Sequence, residues 1–200
     1  MDSEFEFEVP TWNQIYKMLL NLAEKIRRNG FKPEVIVGVS RGGWPPARVL
    51  SDLLGNPNLA NVKAEFYLNV AETKGEPALT QPVSTAVSGM RVLVVDEIAD
   101  TGESLKLVRA HLFERGATDV KIATVYYKPW SIIKPDYYEK KTSNWVIFPW
   151  ETRETIHKIV KKCREEGKSV EKETDKLVEA GMPVDIVEKF LEEILGEGNC

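Results

Sequence analysis

The stretch from Val92 to Leu105, VLVVDEIADTGESL, limits this chain more than any other. Val92 to Val95 is an unbroken apolar run of the kind shown by a strand buried on both faces, and it stops at two adjacent carboxylates, Asp96 and Glu97. The strand is expected to end in that charge. Ile98, Ala99 and Asp100 follow, then Thr101-Gly102-Glu103-Ser104, after which Leu105, Val108 and Leu112 recur at helical spacing. A loop that opens a helix offers unpaired backbone N–H groups and the positive end of the helix dipole. Thr101 and Ser104 add hydroxyl donors, and Gly102 lets backbone approach closely. Together they make a seat for one phosphate. The carboxylates just before it suit sugar hydroxyls or a divalent cation held by hard oxygen ligands, so the segment reads as a socket for a sugar phosphate with magnesium.

The rest of the chain alternates strands and helices around that segment. Thr11 and Gln14 have the spacing of a reciprocal helix cap, and Trp12, Ile15, Tyr16, Leu19, Ala23 and Ile26 would form the buried stripe of the helix that follows, up to Gly30. Val35 to Val39 is a second wholly apolar strand, closing on Ser40-Arg41-Gly42-Gly43. Pro45-Pro46 then sit where a helix can begin, before Leu50, Leu53 and Leu54. Val62 to Leu68 and Val120 to Tyr126 read as further strands. Residues 69 to 89 carry breaks at Gly75, Pro77 and Pro82 and show no period, which predicts a long functional loop, a lid bearing Lys74. Strands and helices in this alternation predict an α/β fold, a mostly parallel sheet flanked by helices, with ligands at the carboxyl ends of the strands. Prolines and aromatics from Lys128 to Trp150 would by themselves suit a small core under loops. Beyond Thr155 the chain turns to charged amphipathic helix, with apolar positions from Val170 to Val178 and from Val187 to Leu195.

Three motifs carry a resemblance. Val92 to Ser104 resembles the ribose-phosphate signature of the type I phosphoribosyltransferases at every position, with Glu97 where Asp is commoner. Ser40-Arg41-Gly42-Gly43 resembles the family's pyrophosphate loop in its 6-oxopurine branch, where a cis peptide, here between Ser40 and Arg41, is often found. Lys128-Pro129 and Trp145-Val146-Ile147-Phe148-Pro149-Trp150-Glu151 resemble the base-binding hood of the xanthine-guanine enzymes. The resemblance implies a magnesium-dependent purine phosphoribosyltransferase of salvage, joining guanine, hypoxanthine or xanthine to the sugar of 5-phosphoribosyl diphosphate. It also implies roles. Asp100 would face purine N7 and relay a proton. Asp96 and Glu97 would hold ribose hydroxyls directly or through magnesium, and Thr101, Gly102, Glu103 and Ser104 would grip the 5-phosphate. Lys128 would donate to the 6-oxo group, Trp145 would stack on the ring, the Val146 carbonyl would face the 2-position, Ile98 would form a floor, and Glu151 would complete the hood. Lys74 would close over pyrophosphate, unless it is simply solvated. The domains implied are residues 1–155 for the transferase, hood at about 127–151, and residues 156–200 for a helical extension; relatives suggest a homodimer.

Other classes fit less well. A donor-only ammonium at Lys128 favours an oxo group over an amine, although an adenine-specific pocket on the same scaffold is the nearest alternative. A non-catalytic regulator could keep the socket to bind 5-phosphoribosyl diphosphate, but neither terminus has a basic recognition helix. The net charge is −4, from 27 basic and 31 acidic residues mixed along the chain, which argues against nucleic acid as a partner. No run has the length of a membrane span, and Met1 to Val9 lacks the pattern of a secretory signal, so a cytoplasmic protein is expected.

Overall fold

The computed structural model describes residues 6–67 and 76–197. In chain order its elements are β1 (Phe7–Glu8), α1 (Trp12–Arg28), β2 (Val35–Ser40), α2 (Trp44–Leu53), β3 (Leu59–Tyr67), β4 (Glu76–Gln81) and β5 (Arg91–Ala99). Then come α3 (Glu103–Glu114), β6 (Asp119–Tyr127), β7 (Tyr137–Lys141), β8 (Trp145–Val146), α4 (Thr152–Glu166), α5 (Val170–Glu179) and α6 (Val184–Glu197). They divide into two compact units, one of residues Ile15–Ser143 and one of Met1–Gln14 with Asn144–Cys200.

The larger unit is built on a six-stranded sheet in the order β4-β3-β2-β5-β6-β7. All neighbours run parallel except β4, which returns antiparallel to β3. One face buries Val35, Val37, Val92 and Val94 against Leu105, Val108 and Leu112 of α3. On the other face α2 comes so close that a β-carbon on Gly38 would lie 2.9 Å from the Ala47 β-carbon. Strands covered on both sides need continuous apolar sequence, which is why Val92 to Val95 alternates with nothing polar. Chain order reverses direction between β2 and β5, and the crevice beyond their carboxyl ends is where ligands of such sheets bind.

Several expectations hold in detail. The Thr11 N–H donates to Gln14 Oε1 at 2.7 Å and the Gln14 N–H returns to Thr11 Oγ1 at 3.2 Å, a closed capping box. Gly30 follows α1 with φ at 75°, and the Ser40–Arg41 peptide is cis.

Others need correction. The stretch 69–89 is not one loop: it contains β4. Pro77 and Pro82 suggested irregular chain, but an edge strand has one unpaired side and tolerates proline. The lid residue Lys74 lies outside the described residues. The strand β5 does not end at Asp96. It runs on to Ala99 because β6 extends beside it, pairing Asp96 with Thr124 and Ala99 with Tyr127, and a ladder engages backbone whatever the side chain. In α1 the buried positions are Ile15, Leu19, Leu22, Ala23 and Ile26, while Trp12 and Tyr16 are exposed. Tyr16 falls on the flank of the stripe that Leu22 completes, and Trp12 lies in the smaller unit, its ring 5.5 Å from that of Trp150.

The aromatic stretch after Tyr127 does not form a single core. Tyr137 is buried in β7, Trp130 and Trp145 are exposed, and Phe148 stacks on Trp150 in the smaller unit. That unit pairs β1 with β8 and packs Ile147, Ile156, Val160, Leu177, Met182, Val187 and Ile194 into a core of its own. Residues 144–155 cluster with the helices that follow and with Met1–Gln14.

Candidate active site

Strands β2 and β5 are neighbours, so the loops leaving their carboxyl ends emerge side by side. The first is Ser40-Arg41-Gly42-Gly43 and the second runs from Asp100 to Ser104. Their packing is close. A β-carbon on Gly42 would fall 1.9 Å from Glu97 Oε1, and one on Gly43 would fall 2.5 Å from the Val95 carbonyl oxygen and 2.6 Å from that of Val39. Only glycine at both positions lets the loop lie against the acidic pair.

Asp96 and Glu97 are half-buried, and the Glu97 N–H donates to Asp96 Oδ1 at 2.9 Å. Burial pushes the Asp96 carboxyl up to about 6, against the hydrogen bonds from Glu97 that lower it. Glu97 is driven well above the usual carboxylate range, first by burial and then by the charge of Asp96. Its Oε2 is buried without a hydrogen-bond partner. Two crowded, desolvated carboxylates with an orphaned oxygen form a site that gains by taking up a cation or hydroxyl donors.

Beyond the pair the chain turns sharply at Gly102, whose φ of 82° precedes α3. Among the described residues no cap residue's side chain closes the start of α3, and the Glu103 N–H makes a 3.4 Å contact with Thr101 Oγ1, so the first turn keeps N–H groups outside the helix's own ladder. Thr101 is exposed, Ser104 half-buried. A helix start of this kind can receive an anion.

Asp100 is exposed at the mouth of the same loop, and its Oδ1 accepts from Trp130 Nε1 at 3.0 Å. Lys128, 5% exposed, places its ammonium 5.2 Å from the Trp130 ring centre. Ile98 is half-buried on β5. The larger unit thus brings together residues 40–43, 96–98, 100–104 and Lys128. Trp130 was legible only as one member of an aromatic cluster; the Lys-Pro-Trp order says nothing about a bond to Asp100.

Trp145, Val146 and Glu151 belong to the smaller unit. Trp145 is 48% exposed. Amides of Trp145 and Ile147 donate to Glu6 and Glu8 of the β1 edge, so the peptide groups of Val146 lie on the edge away from β1. Glu151 has a local task, because its Oε1 accepts the Phe148 N–H at 3.2 Å and holds the turn into α4. Among the described residues no group of three or more His, Cys, Asp or Glu side chains could hold a metal.

The profile of the phosphoribosyl transferase domain matches residues 8–156, ending within α4. The chain is 30% identical over 144 residues to a xanthine-guanine phosphoribosyltransferase of Gluconobacter oxydans, covering 71% of this chain and 83% of the relative. The structure resembles a purine phosphoribosyltransferase from Pyrococcus horikoshii with a TM-score of 0.66 and 38% identity, covering 72% of this chain and 93% of that one. A Helicobacter pylori xanthine-guanine-hypoxanthine phosphoribosyltransferase shares the fold at a TM-score of 0.65 and 24% identity, over 72% and 94% of the two chains.

Proposed function

Since the chain belongs to the phosphoribosyl transferase domain family, we propose that it transfers the 5-phosphoribosyl group of 5-phosphoribosyl diphosphate to guanine, hypoxanthine or xanthine, releasing pyrophosphate. The observation that carries this reading is the contact of Gly42 with Glu97, which sets a donor-rich glycine loop against a sugar-phosphate socket at the sheet's switch point.

In the reaction a purine nitrogen attacks the anomeric carbon as the bond to pyrophosphate breaks, so positive charge grows on the sugar and negative charge on the leaving group. The α3 amides, Thr101 and Ser104 hold the 5-phosphate. The Arg41 guanidinium and the Gly42 amide receive pyrophosphate, while the Gly43 N–H is held by the Val39 carbonyl at 2.8 Å. Asp100 holds or passes the N7 proton, and Lys128 donates to the 6-oxo group.

Magnesium would be held by Asp96 and Glu97: the donors are hard oxygens, and Glu97 Oε2 is buried without a hydrogen-bond partner. When bound, the ion supplies positive charge beside ribose hydroxyls and the departing pyrophosphate. A homodimer in the cytoplasm goes with this reading by analogy with relatives, and sedimentation equilibrium tests the assembly.

Incubation with magnesium, 5-phosphoribosyl diphosphate and each of adenine, hypoxanthine, guanine and xanthine tests the proposal. Nucleotide is expected from the 6-oxopurines; product from adenine alone would overturn the role of Lys128, and no product from any base would overturn the reading. Asp100→Asn should lower kcat far more than it weakens nucleotide binding, and equal losses in both would contradict the proton-relay role.

A further inference from the structure

Trp130 stands out among the residues around Asp100. It is an indole 52% exposed on a loop, yet it is tied at both ends: Nε1 donates to Asp100 Oδ1 at 3.0 Å, and the ring lies 5.2 Å from the Lys128 ammonium. The backbone around it is fastened to the same loop. The Lys128 N–H donates to the Ala99 carbonyl at 3.0 Å and the Ile132 N–H to the Thr101 carbonyl at 2.9 Å, so two main-chain bonds bracket Asp100 on either side. Gly102 seals the contact, since a β-carbon there would meet Ser131 Oγ at 2.5 Å and the Ile133 nitrogen at 2.8 Å. A Trp N–H is a donor only, so its natural partner here is a carboxylate oxygen.

We propose that Trp130 is a positioning residue for base recognition, orienting the Asp100 carboxylate and the Lys128 ammonium as one unit that reads the N7 and O6 edge of a 6-oxopurine. With Oδ1 engaged by the indole, Asp100 presents Oδ2 to the base in a fixed orientation. The ring face meanwhile keeps the Lys128 side chain beside it. Phenylalanine at 130 keeps the face over Lys128 but removes the N–H, which separates the two contacts. The inference rests on the purine transferase reading and assigns it a residue outside its motifs.

The test is a double-mutant cycle of Trp130→Phe and Asp100→Ala, with kcat and KM measured for hypoxanthine and 5-phosphoribosyl diphosphate. Trp130→Phe is expected to lower kcat about tenfold, the effect of one hydrogen bond to a charged acceptor, with KM for 5-phosphoribosyl diphosphate changed by less than about twofold. In the Asp100→Ala background the same substitution should change nothing more. Wild-type kcat in Trp130→Phe beside a slow Asp100→Ala would overturn this inference and leave the transferase reading standing. An equal loss in both backgrounds would also overturn it, because Trp130 would then act elsewhere. Loss of 5-phosphoribosyl diphosphate binding by calorimetry in Trp130→Phe would overturn it as well, by showing that the indole holds the fold of the socket. A fast Asp100→Ala would instead remove the role of Asp100 itself, and this inference with it.

Discussion

Gly42 and Gly43 are adjacent and both tightly enclosed, yet alanine at each should do different damage. At Gly43 the backbone, with φ −73° and ψ −10°, suits alanine, which taken alone would stabilise by about 0.4–1 kcal/mol through the unfolded chain. The added carbon, however, would stand 2.5 Å from the Val95 oxygen, 2.6 Å from the Val39 oxygen and 2.9 Å from the Asp96 α-carbon. All three are main chain of the central strands β2 and β5, and neither strand can yield without disturbing its ladder. Overpacking costs about 1–3 kcal/mol, and rigid neighbours put Gly43→Ala near the upper end, for a net loss of about 2 kcal/mol. In a chain of this length that is a fall of about 4–8 °C in melting temperature. At Gly42 the clash is with Glu97 Oε1 at 1.9 Å and Oε2 at 2.3 Å, the far end of a side chain that can swing aside. Gly42→Ala should therefore melt within a few degrees of wild type but lose transferase turnover, because Glu97 is expelled from the socket. Scanning calorimetry of the ligand-free proteins, paired with turnover, separates the two. A Gly43→Ala protein as stable as wild type, or a fully active Gly42→Ala, would refute the reasoning.

Two further predictions concern protons. Folding lifts the Glu97 carboxyl above its ordinary value of 4.5, so the native group opposes folding at any pH above that value and ceases to do so below it. Glu97→Gln should accordingly raise the melting temperature of the ligand-free protein at pH 7 by an amount that fades as the pH approaches 4.5, while turnover drops; a lower melting temperature at pH 7 would count against this. His111 on α3 accepts the Val83 N–H through Nε2 at 3.2 Å, and burial holds its imidazole below the ordinary 6.5. As the pH falls below 6.5 the unfolded chain binds the proton first, so stability should decline there in wild type more steeply than in His111→Asn. Urea midpoints at pH 7.5 and 5.5 measure the difference, and parallel behaviour of the two proteins would dismiss it.

What was legible in the chain was what consecutive residues build. The strand, acidic pair, glycine turn and helix from Val92 to Leu112 are neighbours in sequence, and the Thr11–Gln14 cap closes over three residues. Spacing alone reports such features, because the partners are fixed by local geometry. Tertiary structure decided whatever depends on which strand lies beside which. Only the edge position of β4 makes Pro77 acceptable in a strand, and only the length of β6 carries β5 through Asp96 and Glu97 to Ala99. The pairing of β1 with β8 joins segments more than a hundred residues apart in the chain. Trp130 and Asp100, thirty residues apart, meet because β5 and β6 are parallel neighbours that release their loops at the same end. A side chain's own sequence context carries its periodicity and its local partners, whereas contacts between distant segments come from the order in which the strands assemble, and no short pattern records that order.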